Sequence, residues 1–362
     1  MQSEQIKKLI IMKRKTVIRK MQTIAVTLAL TVLPVKALAD IEINETSFPD
    51  PIFRQWISEQ SYGKDGMLTE DEIKQVGTIF IWQQEIESLE GIKMFTELKS
   101  LTCRKGLLRE LDVAGMTNLE EIDVSENELK RIDLAGCKAI TKLTVANNRL
   151  QKLDVSELNL LRTLTCQNNL LSELKLGESN SLSALQSQNN QLEELDVSMY
   201  KNLERLYCQG NKIGSINVSG LKQLSILSCN SNRISALNLS GCTSIKTIFV
   251  ENNQIRGQAM DELITSMRKT DSGIFCVYEE AGDRNAISYD QVNAARAKGW
   301  TVKSRLDDGT TQEYDGMDPE SVAAVKSDTD AKLYDLGGFR LEGKPRQKGI
   351  YVKEGRKIVY RK

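Results

Sequence analysis

The apolar positions of this chain recur every 21 residues through its middle, in the frame L-x-x-L-x-(C/V)-x-x-N-x-L-x-x-L-D-V-S. The first leucine position is held by Leu98, Leu119, Ile140, Leu161, Leu182, Leu203, Leu224 and Ile245. The asparagine position is held by Asn127, Asn148, Asn169, Asn190, Asn211, Asn232 and Asn253. A fixed period of this size predicts a stack of one repeated unit rather than a globule around one core. Within a unit, the alternation around the cysteine or valine position predicts a short strand with one face buried. In one such unit Ile140, Leu143, Val145, Leu150, Leu153 and Val155 are expected to point into the coil. A single unit cannot finish burying these side chains, so stacking completes the burial and joins the strands into a parallel sheet.

The asparagine stands where the chain leaves the strand. Its carboxamide is expected to bond backbone groups of its own turn and of the next coil, since a buried N–H or C=O needs a partner. Gly106 replaces it in the first full turn, which predicts a looser end there.

The pattern changes on both sides of the repeats. Residues 40–75 form an N-terminal cap whose Phe48, Ile52, Phe53, Trp56 and Ile57 fit a short amphipathic helix. Residues 76–256 are the repeats, beginning with a 22-residue turn marked by Ile79, Ile81, Ile86 and Leu89. Residues 257–303 form a C-terminal cap. Met260, Leu263, Ile264 and Met267 lie at helical spacing there, Ile274–Tyr278 reads as a strand, and a second helix precedes Gly299 and Trp300. Residues 304–330 are polar and acidic and read as a linker. Residues 331–362 read as a short β-rich tail, with nine Lys or Arg against two acids from Arg340 onward.

The first 39 residues change the picture of where the protein works. Lys13, Arg14, Lys15, Arg19 and Lys20 precede the apolar run 23–33, and Ala37-Leu38-Ala39 follows it. Basic head, short apolar run and small-x-small end predict an export signal, with Met12 as a start and cleavage after Ala39. The run is short for a membrane span, so no transmembrane helix is expected in the mature chain. Removing residues 1–39 turns a formally neutral chain into one with 41 basic and 48 acidic groups, a net of −7. That balance argues against nucleic acid as the main partner. The chain has no histidine, which excludes Ser-His and Cys-His nucleophile pairs and His-ligated metal sites. No phosphate-cradling glycine loop or paired-carboxylate motif appears. The expectation is a protein that is not an enzyme and carries no cofactor.

Seven cysteines in an exported chain suggest disulfides, but their positions do not. Cys103, Cys166, Cys208 and Cys229 share a slot with Val124, Val145 and Val250. Cys137 and Cys242 share one with Met116, Leu158 and Leu221. These are packing slots, and buried free thiols are expected.

With its cysteines in the strand slot, the chain resembles bacterial leucine-rich repeat proteins of the short 21-residue, cysteine-ladder type, like the internalin-related surface proteins. The stretch 257–300 is similar to the cap of Bacteroidetes members, and the tail around Leu333–Gly338 and Lys348–Val352 is similar to C-terminal regions of Bacteroidetes secreted proteins. The resemblance implies a mainly β solenoid with helical caps, a parallel sheet on the concave face and a small C-terminal β tail. For the tail it implies a sorting role in type IX export, the alternative being a small terminal hairpin motif without that role. It implies a secreted or outer-membrane-surface, adhesin-like protein that binds a protein of a host or neighbouring cell, or a glycan. The alternative is a periplasmic scaffolding protein of the cell envelope.

The expected contact row is the outward residue of each strand: Thr102, Asp123, Thr144, Thr165, Gln186, Tyr207, Ser228 and Phe249. Tyr207 and Phe249 are the expected aromatic anchors. Gln167, Gln188, Gln209 and Asn230 form a second row. The acids Glu120, Glu121, Asp123 and Glu126 would steer a basic partner to one end. A column of Asp112, Asp133, Asp154 and Asp196 reads as solvated turn positions. Asp65 and Glu72 have half of a calcium-loop pattern, or else Thr69 and Glu72 form a helix-capping box.

Overall fold

The computed structural model describes residues 40–178, 180–279 and 283–318, and the backbone of four further strands in the tail. The main sheet has twelve strands among the described residues. In chain order these are β1 (Thr78–Trp82), β2 (Ser100–Arg104), β3 (Glu121–Asp123), β4 (Lys142–Thr144), β5 (Thr163–Thr165), β6 (Ala184–Gln186), β7 (Arg205–Tyr207), β8 (Ile226–Ser228), β9 (Thr247–Phe249), β10 (Gly273–Glu279), β11 (Trp300–Arg305) and β12 (Thr311–Glu313). Neighbours in sequence are neighbours in the sheet, and every pair is parallel except β11 with β12. Consecutive turns meet in register, Leu143 beside Leu164 and Leu164 beside Leu185. The architecture is therefore a parallel β-solenoid.

Each inward leucine, isoleucine, valine or cysteine of the frame meets its counterpart one turn away. Leu143, Val145, Leu164, Cys166, Leu185 and Leu206 have no exposed surface. On the far side of the coil, short parallel pairs join Glu110–Asp112 to Arg131–Asp133 and Lys152–Asp154 to Glu173–Lys175.

The asparagines staple each turn to the one before it, not to the one after. Asn169 donates from Nδ2 to the Val145 carbonyl of the preceding turn (2.9 Å) and to its own Cys166 carbonyl (3.1 Å). Its Oδ1 accepts the Leu150 N–H (3.0 Å). The preceding residue of the loop is left-handed, with φ near +55° at Asn147, Asn168 and Asn189. Asparagine tolerates this conformation better than most residues. At Gly106 a Cβ would lie 2.8 Å from the Gln84 carbonyl and 2.9 Å from Asn127 Oδ1, so this break in the ladder is a position without room for a side chain.

The N-terminal cap has two short helices, α1 (Pro51–Glu59) and α2 (Glu70–Gln75). Asp50 caps α1 through Oδ1, and its Oδ2 accepts the N–H groups of Glu87 (2.8 Å) and Ser88 (3.0 Å). One buried carboxylate thus ties the cap to the first turn. Phe48, Phe53, Ile57, Leu68 and Phe95 close the apolar end of the coil.

At the other end, α3 (Gln258–Ser266) and α4 (Tyr289–Arg296) flank β10. Asn285 takes over the ladder. Its Nδ2 donates to the carbonyls of Val250 (2.7 Å) and Val277 (2.9 Å), and its Oδ1 accepts the Ile255 N–H (2.8 Å). The cap does not stop at residue 303. β11 continues to Arg305, β12 pairs with it, and Met317 bridges to Ser288. Residues 304–318, expected in the linker, therefore belong to the cap, because the polar run Thr311–Glu313 supplies an edge strand rather than a spacer. In the tail, Leu333–Tyr334, Arg340–Leu341, Gly349–Lys353 and Arg356–Tyr360 form a separate antiparallel sheet. The expected export signal and residues 319–330 lie outside the described residues. Among the described residues, no helix is long and apolar enough to cross a membrane.

Candidate binding surface

Side chains alternate across a strand, so the residue between two inward ones faces away from the core. The register places the expected row together: Thr102 beside Asp123, then Thr144, Thr165, Gln186, Tyr207, Ser228 and Phe249. Most of the row is half-buried. Ser228 is the exception at 6% exposure, and its Oγ donates to Asn230 Oδ1 (2.9 Å). It is small enough to sink between Tyr207 and Phe249, which corrects its assignment as a contact residue.

Phe249 is also less available than expected. The Arg305 guanidinium from the C-terminal cap lies 5.5 Å from its ring centre. The same arginine donates from Nε to Glu251 (2.7 Å), whose side chain is fully buried. Burial pushes the Glu251 carboxyl above its usual range, although the bond to Arg305 opposes the rise. Phe249 is therefore part of the seam between the repeats and the cap, leaving Tyr207 as the aromatic of the central row.

The expected acidic end is neutralised in place. Arg104 reaches both Glu126 (2.9 Å) and Asp123 (3.5 Å), Lys99 reaches Glu120 (3.4 Å), and Lys142 reaches Glu121 (3.8 Å). Residues about 21 apart in sequence become neighbours, so acids that cluster in sequence each meet a base from an adjacent turn. Lys105 adds a fourth base 4.0 Å from Glu126, so these four acids meet four bases and do not form the open acidic end expected.

Sequence reasoning missed two aromatics. Phe80 stands beside Thr102 at the head of the row and is 61% exposed, and Trp82 stands beside Arg104 at 38%. Lys105 Nζ and the Arg104 guanidinium lie 4.7 Å and 5.1 Å from the Trp82 ring. The signal was present, since Ile79-x-Ile81 of the 22-residue first turn aligns with Leu101-x-Cys103, but the outward row was counted only from Thr102.

The second row is a column of amides. Gln167, Gln188 and Gln209 stack one per turn beside the central row, and the carbonyl oxygen of each is buried without a donor. The aspartate column is ordinary turn chemistry. Asp112, Asp154 and Asp196 accept from the N–H two residues on, and the Lys93 ammonium holds the Asp112 carboxyl below its usual range. Glu72 is occupied by the capping box, accepting from the Thr69 N–H (2.9 Å) and hydroxyl (2.8 Å). Among the described residues no cluster of three or more His, Cys, Asp or Glu side chains is placed to hold a metal ion. All seven cysteines are buried and unbridged. Burial pushes the thiols of Cys103, Cys166 and Cys208 up to about 12.

A family model described as the leucine-rich repeat domain of the endo-β-N-acetylglucosaminidase EndoS matches residues 48–169. Among solved structures, the functional domain of InlJ from Listeria monocytogenes, whose description includes a cysteine ladder, is similar at 20% identity. That match has a TM-score of 0.52 and covers 75% of this chain and 68% of that one. The fold is a leucine-rich repeat solenoid. The solenoid also matches the internalin InlF from L. monocytogenes strain 4b F2365 at 18% identity, covering 75% of this chain and 99% of that one, with a TM-score of 0.36. The leucine-rich effector YopM from Yersinia pestis matches at 21%, over 44% and 62% of the two chains, with a TM-score of 0.34. No curated protein sequence matches the solenoid.

Proposed function

We propose that this chain is an exported, adhesin-like binding protein. It holds a protein partner on the open face of the main sheet, at the outer surface of the cell, without performing chemistry. The observation that carries this reading is the register that sets Tyr207 in the outward row, with the half-buried Gln167, Gln188 and Gln209 one per turn beside it. A surface that combines aromatic side chains with a column of amides suits recognition of a polypeptide. Aromatic residues at the centre of a contact carry much of its energy, and amides fix its orientation. The acids at the Asp123 end are already paired, so the specificity of this reading lies in shape and hydrogen bonding.

The export pattern in residues 13–39 and the absence of histidine support a displayed, non-catalytic role. The glycosidase in the family description is a name for the protein from which those repeats come, and the match lies on the N-terminal cap and early turns.

The test compares attachment of the wild-type chain and a Tyr207→Ala, Gln188→Ala variant to host and neighbouring-cell surfaces. The variant is expected to attach about tenfold more weakly or worse. Its thermal midpoint should barely move, because substitutions on a solvated face cost within about 0.5 kcal/mol. Equal attachment by both proteins would refute this surface as the binding site.

A further inference from the structure

The twelve-stranded sheet ends differently on its two sides. Beyond β11 the edge is closed by β12, a short polar strand, Thr311-Gln312-Glu313. Beyond β1 the described residues supply no strand. The two-stranded piece in the N-terminal cap, Ile41–Glu42 with Met67–Leu68, forms its own sheet and does not join the main one.

The hydrogen bonds at the ends of β1 fix which of its main-chain groups are left over. Ser100 N–H donates to the Gly77 carbonyl (3.1 Å), and Gln83 N–H donates to the Arg104 carbonyl (3.0 Å). In a parallel ladder every second residue turns both its N–H and its C=O to the same neighbour. Residues 77, 79, 81 and 83 therefore face β2. The N–H and C=O groups of Thr78, Phe80 and Trp82 face the other way, where the described residues provide no strand to bond them.

This edge has none of the usual protections. Exposed edges are normally blunted by lysine, proline, a bulge or a cover. Here the strand is Thr-Ile-Phe-Ile-Trp, and no charged residue occurs from Gln75 to Gln84. The geometry points to a second copy of this chain as the occupant, added antiparallel through β1 to make a two-fold dimer with one continuous sheet. The edge is self-complementary about its centre. A two-fold axis at Phe80 sets Phe80 against Phe80 of the second copy and Thr78 against its Trp82. All three are hydrogen-bonded pairs, so every free N–H and C=O of the strand is used. Phe80, exposed on the open face, would pack against its own counterpart, and Trp82 against a β-branched threonine, both favourable cross-strand pairs. No charge lies along the ten residues, and the Arg104 and Lys105 cations beside Trp82 are both paired with Glu126. The two open faces then run on as one.

Sedimentation of the chain from residue 40 onward, across a wide concentration range, tests this. The wild type is expected to dimerise, and Phe80→Pro is expected to weaken the dimer about tenfold or more. Proline there removes an outward N–H without touching a bond to β2, a substitution edge strands tolerate. Phe80→Lys is the companion, with circular dichroism confirming that each variant folds. Register is read from the double variant Thr78→Cys, Trp82→Cys. Oxidation should link the thiol introduced at position 78 of one copy to the thiol introduced at position 82 of the other, since opposed hydrogen-bonded residues lie about 5.5 Å apart. The native thiols, being buried, stay out of this reaction. A strictly monomeric wild type, a dimer indifferent to both Phe80 variants, or no cross-link would each overturn the inference. A monomer that still loses attachment through Tyr207 would leave the proposed function standing.

Discussion

At Asn169 one carboxamide makes bonds to two turns at once, and its neighbours in the ladder do the same at 21-residue intervals. Replacing it with alanine leaves the Leu150 N–H unpaired in a dry interior, while the Val145 carbonyl keeps the Nδ2 donor of Asn148 (3.1 Å). Such an orphan costs about 1–3 kcal/mol, so Asn169→Ala is expected to lose roughly 2 kcal/mol of stability, measured by urea unfolding. An unchanged midpoint would show that water replaces the staple. These residues were legible in the sequence because their role is local: a repeated asparagine after a buried strand has few other uses. Ser228 and the acids around Asp123 were not legible. Whether Ser228 sinks depends on Tyr207 and Phe249 above and below it. Whether Glu126 is free depends on Arg104, 22 residues earlier. Such facts belong to the pairing of turns, which the linear pattern does not display.

Among the described elements, the C-terminal cap is expected to lose stability as pH rises. Asp283 accepts the N–H groups of Asn252 (2.8 Å), Glu279 (2.7 Å) and Asn285 (2.7 Å), holding the last repeat loop to β10. Burial outweighs these bonds and lifts its carboxyl from 3.8 to about 7, with the nearby Glu251 adding to the rise. A raised folded-state value means that the folded cap holds its proton more tightly than the unfolded chain. Stability is then full below about pH 4, falls as pH rises toward about 7, and levels off above that. Arg305, beside Glu251 and Cys276, remains charged throughout and does not reverse the sign. Hydrogen exchange across β10 should therefore quicken by about tenfold or more between pH 4 and 7, after correction for intrinsic rates. The Asp283→Asn variant should lose that dependence. The helices and the strand of this cap were foreseen from spacing. Its extension to residue 318 was not, because Thr311–Glu313 has neither apolar alternation nor bulk. It is a strand only because β11 offers it an edge.

For the whole molecule, the seven thiols from Cys103 to Cys276 are reporters spread along one axis. Each turn touches only its neighbours, so unfolding is expected to spread inward from the ends. In native buffer no thiol should react with iodoacetamide on the timescale that labels a free cysteine, because each is buried. In mild urea Cys103 and Cys276 should label before Cys166 and Cys208, as mass spectrometry of the digested protein would show. Simultaneous labelling would mean that the turns open as one unit.

The repeated staple has a consequence for growth. Nearly every contact across a boundary joins residues about 21 positions apart, so cutting out or copying one period restores the same set of bonds between new partners. Such a molecule behaves like a ruler that can be lengthened by one graduation, roughly 4.8 Å, with both end fittings unchanged. Duplication within the gene could then tune how far its grip extends, one notch at a time, without asking any existing side chain to move.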